Sequence, residues 1–239
     1  MKFKFQFEPV IAEWEMILNG IGLTIMLSGA AIVLGTCLAT LLVALRTLGG
    51  RRAGYAVDAY VEALRNTPFL IQLFMIFFGL PLLGIKMSGV EAALFAMTLN
   101  LAAYSTEIIR SGVDSIHKSQ IEAGMSLAMT RRQMFQYVVL PPAFARVWPA
   151  LSSQFVLMLL ASSICSFISV SELSGTSALI EQRSYRSFET YIIATIAYLI
   201  MALSLKVFLL WLGHRLFPQA STPASGQASG LVSVKTGGV

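Results

Sequence analysis

The stretch Met16–Leu45, MILNGIGLTIMLSGAAIVLGTCLATLLVAL, contains no charged residue. It is longer than the roughly 20 apolar residues that an α-helix needs to cross the hydrocarbon core of a bilayer. Of the 239 residues in the chain, 56% are hydrophobic and only 12% are charged. Ordinary soluble domains are roughly 25% charged. The sequence therefore predicts an integral membrane protein.

Further apolar segments follow this stretch, and together they predict an all-α protein with five transmembrane helices. Runs such as Phe69–Gly84, FLIQLFMIFFGLPLLG, lack the alternation of barrel strands, and helices are the other structure that satisfies every backbone group in lipid. The predicted spans cover about residues 20–45, 59–82, 89–111, 148–170 and 189–213. Residues 1–217 form the predicted transmembrane domain, and the Ser- and Gly-rich residues 218–239 a disordered cytoplasmic tail.

The lysines and arginines indicate the orientation of the predicted spans. One side of the topology holds Arg46, Arg51, Arg52, Arg110, Lys118, Arg131, Arg132, Arg146, Arg215 and Lys235. The opposite side holds Lys2, Lys4, Lys86, Arg183 and Arg186. Because the side richer in these residues is cytoplasmic, we expect the N-terminus outside and the C-terminus in the cytoplasm. The net charge of +5 follows from this bias, and its scatter argues against a nucleic-acid site.

Motifs for nucleotide, metal or nucleophilic chemistry are absent from the sequence. It contains no GxxxxGK[ST] phosphate loop, no HExxH and no GxSxG. The two histidines, His117 and His214, are far apart in the chain. We therefore predict no catalytic residue, no metal site and no cofactor bound by this chain.

The longest polar connection, about residues 112–147, has the pattern of two short helices. Ser119-Gln-Ile-Glu122 and Thr130-Arg-Arg-Gln133 both match the capping box that begins a helix. Prolines cannot continue a hydrogen-bonded helix interior, so Leu140-Pro141-Pro142 predicts a stop. The expected structure is a helix, a tight corner and a second helix.

An apolar stripe on the first short helix is formed by Ile121, Met125, Ala128 and Met129. Two alternatives remain open on the residues alone. The stripe packs on the protein's own helix ends or on the lipid surface, or it docks into a groove of a cytoplasmic partner.

The same stretch resembles the cytoplasmic loop of permease subunits of bacterial ABC importers, whose pattern is E-A-A, three residues, G, nine residues and I-x-L-P. Glu122, Ala123 and Gly124 match the first part, Ala128 stands at the Gly position, and Val138–Pro141 match the end. The resemblance implies a coupling helix that lies in a groove of an ATPase, with Glu122 as its polar anchor. The residues that it assigns to ATPase coupling are Glu122, Ala123, Gly124, Ser126, Leu127, Ala128, Met129 and Thr130.

Other segments resemble the polar amino acid branch of these permeases, the histidine, glutamine and glutamate type. Arg65-Asn66-Thr67-Pro68 with Gln72 is similar to its R-G-T-P-x-x-V-Q segment, and Ala103–Gly112 and Ser171–Leu173 resemble two others. The resemblance implies the type I importer fold with its coupling helix between spans 3 and 4. It also implies a second permease subunit, identical or homologous, two cytoplasmic ATPases that bind ATP and Mg²⁺, and a periplasmic solute-binding protein. Such an assembly moves a polar or charged amino acid across the bacterial inner membrane by alternating access, without catalysis in this chain.

Polar residues inside spans are the candidates for contact with the transported solute, because such residues are costly in lipid. The candidates are Asn100, Tyr104, Glu107, Gln72, Ser166, Ser169 and Glu172. Asn100, Tyr104 and Glu107 share one helix face.

Each candidate has a purely structural alternative. Glu107 can accept a hydrogen bond from a substrate's α-ammonium group, or it can pair with Arg110 one turn on. The serines can line a path or mark close helix contacts. Glu172 can form a gate or be solvated at the outer end of the fourth span, and Arg65 can pair locally with Glu62.

Two other functions compete with the importer hypothesis. A secondary transporter would use Glu107 or Glu172 as a proton carrier, but it leaves the polar connection at 112–147 without a role. A membrane enzyme would need scattered catalytic residues, against which the missing motifs count.

Overall fold

Residues 5–218 are described by a computed structural model, in which every regular element is helical, as the sequence predicts. Short π- and 3-10-helical segments extend α4 (Met75–Gly79 and Leu80–Leu83), precede α8 (Met134–Val139) and follow it (Ser162–Ile168). Apart from Pro218, the predicted tail at 218–239 lies outside the described residues. The α-helices are α1 (Glu8–Ile11), α2 (Trp14–Leu48), α3 (Gly50–Arg65), α4 (Phe69–Phe74), α5 (Gly89–Asp114), α6 (Lys118–Ser126), α7 (Arg131–Gln133), α8 (Leu140–Ala161), α9 (Leu173–Ser184) and α10 (Ser187–Leu216).

Four helices in the described part of the chain are long and apolar enough to cross a membrane: α2, α5, the continuous helix Arg131–Ile168 and α10. A fifth candidate span is the pair formed by α3 and the helical segment Phe69–Leu83, which is bent by 106°. The prediction of one continuous helix for the second span, at about 59–82, is therefore wrong. Pro68 has an extended backbone at the break. Because proline lacks an N–H and disfavours a helical conformation of the residue before it, α3 cannot continue through this position.

Helix α2 packs on α5 through a stripe of small residues. Ala31, Gly35 and Ala39 recur one turn apart and are buried, whereas Gly20 and Thr24 of the same helix face α9. A Cβ atom at Gly35 would lie 3.0 Å from the Leu101 Cβ, so the two helices approach closely there. Small interface residues are the usual means of close packing between membrane helices.

Contacts between distant residues define two ends of the bundle. At one end, which we call the loop end, the connection from α5 to α8 lies beside α10, and Trp148 Nε1 donates to Leu209 O at 3.0 Å. At the opposite end, which we call the α9 end, Leu173 N donates to Thr24 Oγ1 at 3.1 Å. Arg183 of α9 lies at this second end, as the topology predicts. The assignment of the loop end to the cytoplasm stays a prediction.

Two expectations for the polar connection are corrected. Helix α6 begins at Lys118, because His117 has the extended backbone of a cap and accepts from Ser119 N at 3.3 Å. Ser119 is thus already helical, and the predicted capping box at Ser119 is wrong. The predicted stop at the two prolines is also wrong. Pro141 and Pro142 occupy the first turn of α8, where N–H groups need no intrahelical partner, and a π-helical segment leads into that turn.

Candidate functional site

Helix α6 exposes one side at the loop end, which we call the docking face, formed by Glu122, Ala123, Met125, Ser126 and Leu127. Leu127 is 76% exposed and Met125 62% exposed. Two large apolar side chains on a short exposed helix are the anchors that groove-docking helices use. The docking face therefore has the chemistry of a partner contact.

The opposite side of α6 packs on the protein itself. Ile121 lies against the hydrophobic core, and Gly124 is buried beside Met134. The predicted stripe is therefore split: Ile121 faces the bundle, whereas Met125 faces outward. The side with Ile121 fits packing on the protein itself, and the side with Met125 fits docking to a partner.

The corner after α6 is a left-handed turn at Ala128, where φ is +56°. Met129 N donates to Gly124 O at 3.2 Å and closes the helix. Thr130 and Gln133 then form the predicted capping box, with each side chain bonded to the other residue's backbone. The helix–corner–helix prediction is confirmed, and the corner falls at the position that is glycine in the resembled pattern.

A cleft of about 490 Å³, which we call the polar cleft, opens beside the bend between α3 and α4. It is bounded by the bend, by α5 and by α8, so three separate parts of the chain contribute to it. Asn100 and Tyr104, two of the predicted solute contacts, lie in its wall. The complete lining is Arg65, Asn66, Thr67, Pro68, Phe69, Asn100, Tyr104, Gln154, Leu157, Met158 and Ala161.

Gln72, another predicted contact, lies behind the polar cleft and stabilises the bend. Its Nε2 donates to Leu64 O at 2.7 Å and to Thr67 O and Oγ1 at 3.0 and 2.9 Å. Its Oε1 accepts from Asn100 Nδ2 at 3.0 Å. The carbonyl groups freed by the broken helix are thus satisfied by this buried amide, as membrane depth requires.

Glu107 is held by arginines and does not line the polar cleft. Both of its carboxylate oxygens accept from Arg110, with Nε at 3.0 Å from Oε2 and the second bond from Nη2 to Oε1. Arg65 Nη1 lies 3.9 Å from the same carboxylate, and Arg110 also bonds Asp114 at 3.1 Å. The pairing alternative for Glu107 is the one that this geometry supports.

Arg65 itself was expected to pair with Glu62, and this is wrong. Glu62 accepts from Asn66 Nδ2 at 2.8 Å instead. The Arg65 guanidinium lies over the Tyr104 ring, 5.6 Å from its centre. Arg65 thereby faces the polar cleft.

A second cleft, of about 650 Å³, lies at the α9 end, and we call it the serine cleft. Ser166 and Ser169, both predicted solute contacts, lie in its wall. Its other polar lining residues are Ser163, Ser171, Ser174, Gln182 and Tyr191. Both clefts follow the continuous helix Arg131–Ile168, the polar cleft at 154–161 and the serine cleft beyond it.

Glu172 is 0% exposed and lies in neither cleft lining. Its carboxylate accepts from Tyr198 Oη at 2.6 Å, Ser174 N at 3.0 Å and Gly175 N at 2.8 Å. The expectation of a solvated Glu172 is wrong, because the side chain caps α9 from inside the bundle. It joins α9 to α10, and Thr24 of α2 lies 3.4 Å away.

Several cleft residues were missed by the sequence reasoning. Gln154 is a polar side chain within a predicted span, so the rule that such residues are costly in lipid could have found it. Arg65 was assigned to a local pair. Nothing in the sequence around Gln182 and Tyr191 marks them as cleft residues.

Comparison with known proteins agrees with this arrangement. Residues 31–218 match the family described as the binding-protein-dependent transport system inner membrane component. The chain is 30% identical over 82% of its length to a probable amino-acid ABC transporter permease protein, YckA of Bacillus subtilis, covering 87% of that protein. It is 29% identical over 89% of its length to the glutamine transport system permease protein GlnP of Escherichia coli K12, covering 98% of it.

A solved structure shows the same fold. The crystal structure of an amino acid ABC transporter with histidines contains a chain that superposes with a TM-score of 0.81 at 30% identity, over 89% of this chain and 100% of that one. The resemblance first indicated by the loop at 122–141 is thus confirmed over most of the sequence. The chain belongs to the family of inner membrane components of binding-protein-dependent transport systems, and it has the permease fold of type I ABC importers.

Proposed function

We propose that this chain is the transmembrane subunit of an ATP-driven importer that carries an amino acid into the cytoplasm of a bacterium. The observation that carries the proposal is the docking face, which exposes Met125 and Leu127 beside Glu122 at the loop end. A self-sufficient transporter has no need for such a surface. The amino-acid permeases among its relatives support the class of solute.

The proposed assembly contains two copies of a cytoplasmic ATPase, a second permease subunit and a periplasmic solute-binding protein. ATP and Mg²⁺ belong to the ATPase, because this sequence has no phosphate loop. Residues Glu122–Thr130 couple ATPase closure to the bundle, with Glu122 as the polar anchor. Closure moves the coupling helix and alternates access to the clefts from the two sides.

The proposed path follows the continuous helix Arg131–Ile168. Solute enters at the serine cleft, which Ser166 and Ser169 line, and reaches the polar cleft at Asn100 and Tyr104. Glu107 and Glu172 act structurally, because arginines hold the first and backbone N–H groups the second. This arrangement leaves neither carboxylate as a free proton carrier, which disfavours the secondary-transporter alternative.

The test begins with the full chain, purified in mild detergent together with the proteins that accompany it. Co-purification of an ATPase, followed by uptake of labelled amino acids into proteoliposomes that requires ATP, is the expected result. Uptake that persists without ATP and collapses with a proton ionophore would establish the secondary transporter instead. A screen across labelled amino acids in the same vesicles identifies the solute.

A further inference from the structure

Two adjoining clefts lie between α8 and α10 at the loop end, and together we call them the α8–α10 groove. The outer cleft, of about 750 Å³, is lined by the first turns of α8 and by residues 216–218. The inner cleft, of about 170 Å³, lies further from this end along both helices, beside Trp148. Ala145, Pro149 and Phe217 line both clefts. The groove therefore leads from the loop end towards the middle of two predicted spans.

Among the described residues that line the outer cleft, Arg146 alone is charged, and the others are apolar, four of them prolines. Arg146 Nη1 donates to Ser115 O and, at 2.8 Å, to Ser115 Oγ. These bonds fix the guanidinium to the end of α5. Asp114, the carboxylate next to Ser115 in the chain, bonds Arg110 at 3.1 Å instead. The Nε and Nη2 groups of Arg146 make no hydrogen bond within residues 5–218.

The Nε–Nη2 edge of a guanidinium is the side that two other arginines of this chain use to hold a carboxylate. Arg46 donates from Nε to Asp58 Oδ1 at 2.7 Å and from Nη2 to Oδ2 at 3.3 Å. Arg110 holds Glu107 through the same two groups. Arg146 forms no such pair in the part of the chain that the structure describes. Because this fork of donors matches both carboxylate and phosphate oxygens, Arg146 can accommodate an anion in the outer cleft.

The surroundings of the α8–α10 groove are basic. Residues 140–161 and 190–217 contain no aspartate or glutamate. Arg215 lies over the Trp211 ring, 5.7 Å from its centre, and forms no ion pair within the described chain. An anion in the outer cleft would therefore meet positive charge that no carboxylate of α8 or of this part of α10 balances.

The inner cleft offers a mostly apolar surface. Apart from Ser152 and His214, the described residues that line it are apolar. His214 Nδ1 lies 2.7 Å from Leu210 O, so its ring N–H is used on its own helix. Trp148 lines this cleft and Trp211 lies on the same part of α10, and tryptophan is enriched where hydrocarbon meets the head groups of a bilayer. The groove thus combines one fixed cation with an apolar path, which fits an amphipathic anion.

We propose that the α8–α10 groove binds one acidic phospholipid, with its phosphate at Nε and Nη2 of Arg146 and an acyl chain in the inner cleft. Basic pockets between transmembrane helices are a known kind of site for acidic lipid head groups. Free phosphate would satisfy Arg146 but would leave the apolar walls in water. A zwitterionic phospholipid brings a cationic group with its phosphate, and the lining offers no carboxylate to receive it. The site is separate from the docking face and from both solute clefts, and it does not rest on the proposed function.

The experiment uses the full chain, purified in mild detergent with the proteins that accompany it and reconstituted into phosphatidylcholine vesicles. The vesicles contain a trace of photoactivatable phosphatidylglycerol or of photoactivatable phosphatidylcholine with the same acyl chains. After irradiation, mass spectrometry locates the attached lipid. We expect peptides with residues 145–152 and 210–217 to be labelled at least about fivefold more by the phosphatidylglycerol probe, the factor that one arginine near a membrane surface supplies. Peptides with the exposed Arg51 and Arg52 of α3 report general enrichment at a basic surface and should show a smaller ratio.

The Arg146→Gln variant should lower the ratio of the two lipids in the groove about fivefold. Arg146→Lys should retain part of it, because lysine keeps the charge but lacks the fork of donors. Arg132→Gln, which removes an exposed arginine of α7 outside the groove, is the matched control and should leave the ratio unchanged. Misfolding affects both probes alike, so the ratio reports recognition of the head group.

Three results would overturn the proposal, and each leaves the proposed function untouched. The first is equal labelling of the groove by the two probes, or a preference for phosphatidylglycerol that persists in Arg146→Gln. The second is loss of labelling in excess inorganic phosphate, which would assign the outer cleft to a free anion. The third is labelling that occurs only after removal of residues 219–239, which would mean that this segment occupies the groove.

Discussion

Ala128 and Gly124 lie four residues apart in the connection from α5 to α8 and differ in what their backbones allow. Ala128 has φ of +56°, a left-handed conformation that costs a residue with a Cβ atom about 1–2 kcal/mol. Gly124 is helical, and a Cβ there would lie 3.5 Å from Met134 Cγ, an ordinary contact. One position therefore favours glycine and carries alanine, while the other accepts alanine and carries glycine.

We predict that Ala128→Val destabilises the corner by about 1–3 kcal/mol, because a β-branched residue fits the left-handed region poorly. Hydrogen–deuterium exchange of peptides from α6 and α7 should show faster exchange in this variant. Ala123→Val, an exposed helical position in the same loop, is the control and should change exchange much less. Equal exchange in the two variants would mean that the corner does not depend on residue 128.

At Gly124 we predict that a substitution stabilises the loop instead of destabilising it. Gly124→Ala should slow exchange in α6, since alanine in a helix interior is about 0.5–1 kcal/mol more favourable than glycine. The same peptides report the effect. Faster exchange would show that Met134 cannot accommodate the added methyl group.

Glu172 is buried, and its carboxylate accepts hydrogen bonds from Tyr198 Oη and from two backbone N–H groups. Glu172→Ala should destabilise the bundle by several kcal/mol, since it strands Tyr198 Oη and the N–H groups at 174 and 175 without an acceptor. The thermal unfolding midpoint of the purified permease measures this. Glu15→Ala, at an exposed position on α2, should leave the midpoint unchanged. A wild-type midpoint in Glu172→Ala would mean that water replaces the carboxylate.

At the scale of the element, the two sides of α6 have different surroundings. Gly124 and Ile121 fix it to the bundle, and the docking face is left exposed. Because one side of α6 is packed against the bundle, we expect movement of a partner bound at the docking face to be transmitted to the spans. The long continuous helix Arg131–Ile168 begins just after this element and passes both clefts.

We predict that Glu122→Lys detaches or uncouples the ATPase while the permease still inserts, because reversing a charge at the edge of a docked helix places like charges together or leaves a partner unmatched. Co-purification of the ATPase should fall about tenfold or more. Gln120→Lys is the control, because it introduces a lysine at an exposed position on the same helix without removing a carboxylate. Full co-purification with coupled transport in Glu122→Lys would remove Glu122 from the docking contact.

For the whole molecule, the two ends of the bundle must face opposite compartments. In a Cys37→Ser background, which removes the exposed native cysteine, Ser187→Cys at the α9 end should react with an impermeant maleimide in intact spheroplasts. Ser126→Cys at the loop end should react only after the membrane is opened. Both serines are exposed, so access to the side chain is matched. The reverse pattern would place the loop end outside and would exclude docking to a cytoplasmic ATPase.

The apolar spans, the capping box at Thr130 and the helix–corner–helix of the connection from α5 to α8 could all be predicted from the sequence. Each depends on residues that are close in the chain: hydropathy over one helix length, or a hydroxyl three residues before an amide. Some of the predictions that failed concern alternatives within one such window. Ser119 or His117 could begin α6, and Glu62 could meet Arg65 or Asn66, so local spacing could not decide between them.

The sequence by itself determined that the chain is an all-helical membrane protein with an amphipathic loop between its third and fourth spans, because burial in lipid acts on each segment separately. Only the tertiary structure decided that Arg65 and Asn100 line one cleft with Gln154, and that Glu172 meets Tyr198 inside the bundle. These neighbours are brought together by the 106° bend and by close helix packing. Such contacts join positions that the chain separates by many residues, so no periodicity or spacing along the sequence records them.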